Sequence, residues 1–149
     1  MKKIFSTNPN VANVDGAILL LRIAIAALML THGLPKMATL FGEGPVQFLP
    51  FMGLSPELSL GLAVFAEVFC SILILVGFAT RLATIPLIIT MLVAVLTVHI
   101  ADPFVNKEMA FHFMLVYAVL LATGSGKYSV DYWLHRRQMA LAKATVHLR

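Results

Sequence analysis

Residues 58–100 read LSLGLAVFAEVFCSILILVGFATRLATIPLIITMLVAVLTVHI. Glu67 and Arg81 are its only acidic or basic residues apart from His99, and the remainder is almost continuously apolar. The turn-like GFATRLA divides it into runs at about Leu58–Phe78 and Leu82–Ile100. As a helix, each run is long enough to cross a hydrocarbon layer about 30 Å thick. The connection Ala79–Arg81 is so short that the two helices must pack as an antiparallel hairpin. Neither run alternates in polarity as a barrel strand would.

Two further apolar runs flank this hairpin, at about Gly16–Leu34 and Met109–Thr123. The last is short unless its ends extend toward Glu108 and Tyr128. The 149-residue chain is 60% hydrophobic and 12% charged, with a mean hydropathy of +0.91. Soluble domains are nearer half apolar and a quarter charged. So few polar side chains cannot cover a soluble globule, whereas lipid-facing positions are allowed to be apolar. The expected fold is an all-α membrane protein: one four-transmembrane-helix bundle over residues 15–133. An N-terminal segment (1–14) precedes it and a basic tail (134–149) follows, with a helix from about Asp131 to Lys143. Tyr132 and Trp133 suit a membrane interface. Pro35–Glu57 reads as a long loop in which VQFLPFMGL forms a half-buried piece on the membrane surface. Asn, Pro and Asp follow Lys2 and Lys3, with no small-residue cleavage site, so the first span is read as retained.

The net charge of +4 does not point to nucleic acid, because the basic residues sit at the ends of apolar runs rather than in a stripe. With four spans, Lys2, Lys3, Arg81, Lys127, Arg136, Arg137, Lys143 and Arg149 share one side; Lys36 and Lys107 lie on the other. This bias predicts cytoplasmic termini. The single cysteine, Cys70, excludes an internal disulfide and any CxxC motif, and reads as packing.

Arg22 and Glu67 lie within apolar runs, where a lipid-facing charge costs about 2.5–3.5 kcal/mol, so both should face the bundle interior. They are close enough in depth to pair. Arg22 could instead snorkel to the headgroups. Glu67 has no such escape: it is paired, protonated, or beside a wet cavity. Toward the opposite face, THGLPK supplies His32 and Lys36, HIAD supplies His99 and Asp102, and KEMAFH supplies Glu108 and His112. Met29, Met91 and Met109 are near. These donors suit a metal chemically, yet no spacing such as HExxH is present, and any one histidine alone reads as interfacial. Together they suggest a polar mouth for a small redox-active ligand.

The order of LRIAIAALMLTHGLPKM, FAEVFCSILILVGFATRLA, VHIADPF and GSGKYSVD resembles the DoxX family of small bacterial membrane proteins, from about Asp15 to Trp133. Val130 stands where that family usually has leucine. The resemblance implies a four-helix fold in a bacterial cytoplasmic (inner) membrane and a redox-linked setting, since the family includes the membrane subunit of thiosulfate:quinone oxidoreductase. Carried onto this chain, it singles out Arg22, His32, Lys36, Glu67, Arg81, His99, Ser129 and Asp131.

The resulting expectation is a subunit of a quinone-linked oxidoreductase. Glu67, His32 and His99 would be the catalytic, proton-handling groups, and Arg22, Lys36, Asp102 and His112 would bind the ligand. Arg81, Ser129 and Asp131 would be structural, with Asp131 capping the tail helix. No CxxCH or GxGxxG occurs, so the chain would carry no cofactor of its own beyond a bound quinone, and electrons would come from the substrate or a partner redox subunit. Two alternatives remain open. One is a non-enzymatic accessory subunit that anchors soluble partners through its basic tail. The other is a small-solute or metal transporter, for which four helices would require a homo-oligomer.

Overall fold

The computed structural model describes residues 11–146 of the backbone. The expected roles of Lys2, Lys3 and Arg149 therefore lie outside the described residues. Among the described residues six α-helices follow in order: α1 (Val11–Leu40), α2 (Pro56–Val64), α3 (Ser71–Val76), α4 (Thr80–Val93), α5 (Phe104–Thr123) and α6 (Val130–Val146). The π-helical segment Phe65–Cys70 joins α2 to α3, and a second, Ala94–Val98, extends α4. Among the described residues, four helical stretches are long and apolar enough to cross a membrane: Asn13–Leu40, Pro56–Val76, Thr80–Val98 and Phe104–Thr123. The four-helix membrane bundle is thus the fold. Large apolar side chains cover its outside, Leu20, Leu82 and Leu115 each being about two-thirds exposed (70%, 68% and 66%). Such a surface suits lipid, not water.

Two boundaries and one loop segment differ from the sequence reading. The first helix does not end at Leu34; it runs through Pro35 to Leu40. Proline removes one backbone donor, and membrane helices tolerate this where neighbours and hydroxyls re-satisfy the freed groups. The donor that Pro35 lacks would have served the Thr31 carbonyl one turn earlier; the Thr39 hydroxyl adds a bond to the Pro35 carbonyl at 3.1 Å. The loop therefore starts five or so residues later than the prolines and glycines suggest, and Lys36 belongs to a helix. The fourth span is longer than its apolar core, because α5 begins at Phe104 directly after Pro103. The VQFLPFMGL segment is irregular. Its Val46 and Phe48 fold onto Leu60, Val64 and Val68, alongside Leu30, Met37 and Leu40 of α1.

The hairpin closes as its length requires. Gly77 takes the left-handed conformation (φ 73°) that ends α3, and its N–H and that of Phe78 both donate to the Leu73 carbonyl at 2.9 Å. A Cβ at Gly77 would also run into the Arg22 guanidinium and the Ser129 side chain. The main core joins Ile25, Ala26 and Met29 of α1 to Ile74, Leu87, Met91, Phe113, Tyr117 and Leu120. We refer to the end holding the α3–α4 turn as the hairpin face, and the end holding residues 41–55 as the loop face.

Candidate functional site

Four residues read as structural or ligand-binding meet at the hairpin face. Arg22 is 1% exposed and surrounded by carbonyls. Its guanidinium donates to Ile74 O (2.8 Å), Leu75 O (3.0 Å), Ser125 O (2.6 Å) and Tyr128 O (2.9 Å). The carbonyls of Ile74 and Leu75 are the orphans that any helix leaves at its C-terminus. Arg22 therefore neither pairs with Glu67 nor snorkels to the headgroups, and it is not among the residues lining the cavity at the loop face. The reason is directional: helical side chains lean toward the N-terminus, which carries Arg22 away from Glu67 and onto these acceptors.

Asp131 likewise does not cap its own helix. Its carboxylate accepts from the Ala79 N–H at 2.9 Å and the Thr80 N–H at 3.5 Å, capping α4 across space. Ser129 caps α6 instead, accepting from the Tyr132 N–H at 3.2 Å. Arg81 donates to Ala122 O at the end of α5 (3.1 Å), and buried Asp15 holds both the Lys127 N–H (3.1 Å) and its ammonium (3.2 Å). Asp15 was not foreseen, because its partner lies 112 residues away.

Toward the loop face the bundle forms a half-open cavity of about 460 Å³. His32, Lys36, Glu67 and His99 all line it, with Met29, Met91, Asn106, Met109 and Phe113 among its walls. Glu67, 1% exposed, accepts a 2.5 Å bond from the Lys36 ammonium through Oε1. Lys36 leans back toward the membrane centre for the same directional reason that Arg22 leans away. Gly33 makes this meeting possible. A Cβ there would lie 2.8 Å from Val68 Cγ2 and 3.0 Å from the Glu67 backbone, so α1 can approach the Glu67 segment only without one.

Both π-helical segments serve this cavity. One carries Glu67, and the other ends at His99, whose N–H donates five residues back to Ala94 O (2.9 Å). Such insertions re-aim side chains and are frequent at functional sites. Nothing in the apolar sequence marks them. The His99 Nδ1 lies 2.7 Å from Asp102 Oδ2. An Nδ1–H donated to that carboxylate leaves Nε2 to exchange with a ligand. Bonds from His99 and then Asn106 hold the Asp102 carboxyl below the usual carboxylate range. Asp102 thus orients His99 and does not line the cavity. The His32 ring meets Phe113 edge-on at 5.8 Å between centroids. His112 is exposed, bonded to Glu108 O (2.9 Å) on its own helix, and stands outside the cavity. Among the described residues, no three His, Cys, Asp or Glu side chains converge as a metal site.

The fold and its cavity define a class: a small four-span helical membrane protein with an ion-paired polar site between its helices. The DoxX family model matches residues 17–100, more than half of the chain, and the protein belongs to that family. It is also 31% identical over 114 residues to the Bacillus subtilis (strain 168) protein named "Putative oxidoreductase CatD", covering 76% of this chain and 83% of that one. No solved structure matches it.

Proposed function

We propose that the protein is a quinone-linked redox subunit of a bacterial cytoplasmic membrane, binding the headgroup of a lipophilic electron carrier in the loop-face cavity. The observation that carries this reading is the Lys36–Glu67 pair in a cavity that also holds His32 and His99. Ligand sites of this size are mostly apolar with a few placed polar groups, and methionine and phenylalanine walls meet that description. Quinone chemistry moves protons with electrons. A carbonyl oxygen of the headgroup would take a proton from the Lys36 ammonium or a protonated imidazole; water reaching the cavity would reprotonate that group, with the Glu67 carboxylate favouring its cationic form. The relationship to a protein named as an oxidoreductase supports the redox setting. Electrons would pass from a partner or a reduced substrate in contact with the headgroup. The count of basic side chains supports a cytoplasmic hairpin face, which puts the cavity toward the outside.

Titration of the detergent-solubilised protein with short-chain ubiquinone and menaquinone analogues tests this. Saturable binding is expected, weakened at least about tenfold (about 1.4 kcal/mol) by Glu67→Gln and unchanged by His112→Ala. Absence of saturation, or equal affinity in Glu67→Gln, would overturn it.

A further inference from the structure

The loop-face cavity has a counterpart at the hairpin face. There a cavity of about 420 Å³ is lined by Thr80, Arg81, Gly124, Ser125, Gly126 and Asp131, among others. Between the two lie buried oxygens with no hydrogen-bond partner among the described residues: Glu67 Oε2, Tyr117 Oη, Ser71 Oγ and Thr80 Oγ1. Each parent residue is 0–1% exposed. Unpartnered buried hydroxyls are rare, since each costs about 1–3 kcal/mol, and proteins commonly satisfy them with ordered water.

Their depths form a series. By a rise of about 1.5 Å per residue, Glu67 lies roughly 13 Å from the end of α3 and Ser71 roughly 7 Å. Tyr117 lies roughly 9 Å from the end of α5, and its side chain leans back toward Glu67. Its ring stacks on Phe113, a wall of the loop-face cavity, at 6.1 Å between centroids. Thr80 opens α4 at the hairpin face and lines the second cavity.

We propose that Glu67 is the inner end of a proton path that crosses the bundle from the loop-face cavity through Tyr117, Ser71 and Thr80 to the hairpin-face cavity. Each hydroxyl, with bridging water, gives its proton to the next oxygen and receives one from the last, so no group is consumed. Asp131 stands at the exit. The charged and titratable groups facing Glu67 are Lys36 from α1 and Tyr117 from α5, with His32 and His99 across the cavity. The Arg22 cation, bonded to the Ile74 and Leu75 carbonyls, stands near the hairpin-face end of the path. The path extends beyond the quinone reading and does not depend on it, because conduction needs no carrier.

The purified protein in phosphatidylcholine vesicles enclosing a pH-sensitive dye, polarised with potassium and valinomycin, tests the path. Wild-type proton flux is expected to exceed that of empty vesicles at least about tenfold, as for membrane-buried relays of ionisable groups. Tyr117→Phe and Ser71→Ala should each lower it severalfold, and His112→Ala should not. The Tyr117 and Ser71 hydroxyls bond no other side chain or backbone group among the described residues, so losing their water bridges should lower the melting temperature only slightly. Flux loss without a matching stability loss therefore marks a relay. Wild-type flux no greater than that of empty vesicles, or either variant conducting as wild type, would overturn the proposal.

Discussion

Replacing Lys36 with methionine isolates the one ion pair within the loop-face cavity. Much of the side-chain stem remains, but the ammonium that meets Glu67 at 2.5 Å is gone. No other bond to Glu67 is made among the described residues, so a carboxylate 1% exposed stands alone. Removing one member of a buried pair costs about 3–5 kcal/mol, and the third of Lys36 that is exposed discounts this. A second limit applies. The folded variant can neutralise Glu67 by taking up a proton, which costs about 1.4 kcal/mol per pH unit above the ordinary glutamate value near 4.3. The ceiling is thus about 4 kcal/mol at pH 7 and about 1 kcal/mol at pH 5.

The folded variant then binds more protons than its unfolded chain, so its stability falls as pH rises. Thermal unfolding in detergent should show a drop of roughly 5–10 °C at pH 7, shrinking to a few degrees at pH 5. Adding Glu67→Gln should recover most of the loss and remove its pH dependence. An equal drop at both pH values, or none, would show that Lys36 does not hold a buried Glu67 charge.

Four further outcomes follow from the geometry. Arg22→Met leaves four carbonyls without their donor and should destabilise by about 3–5 kcal/mol in thermal unfolding; Arg22→Lys should recover only part, because one ammonium cannot span the fork of acceptors. Gly77→Ala combines a left-handed φ of 73° with a clash against Arg22 and should cost about 1–3 kcal/mol by the same assay. Gly33→Ala should push α1 from the Glu67 segment and weaken quinone-analogue binding about tenfold, about 1.4 kcal/mol, with a smaller change in melting temperature. The lowered Asp102 carboxyl stabilises above the ordinary aspartate value, and that contribution is lost as pH falls through its folded value. Asp102→Asn should therefore flatten the acid limb of the melting profile.

The spans were legible because lipid imposes a length and a composition that little else in a 149-residue chain would satisfy. Glu67, His32, Lys36 and His99 were legible as a group because few polar side chains occur within or beside those runs. Partner choice was not. Depth along the helix axis put Arg22 within reach of Glu67, but the lean of each side chain sends Arg22 to the α3 carbonyls and Lys36 to Glu67. Pro35 reads as a stop in water and is tolerated in this helix, which is why Lys36 looked like a loop residue. Asp131 could be recognised as a cap, but the N–H groups it serves lie 52 and 51 residues earlier in sequence, at the start of α4. The orphaned hydroxyls of Ser71, Thr80 and Tyr117 read as ordinary residues in apolar runs; only packing shows that they lack partners.

The central claim is that a lipophilic carrier sits beside the Lys36–Glu67 pair. A photoreactive quinone analogue, cross-linked to the protein in membranes and mapped by peptide mass spectrometry, measures this directly. Labelling should be confined to peptides that contain the cavity walls, namely Met29–Lys36, Glu67, Met91–His99 and Val105–Phe113, and should be removed by excess unlabelled quinone and reduced in Glu67→Gln. Labels spread over the lipid-facing residues, insensitive to competition, would contradict it.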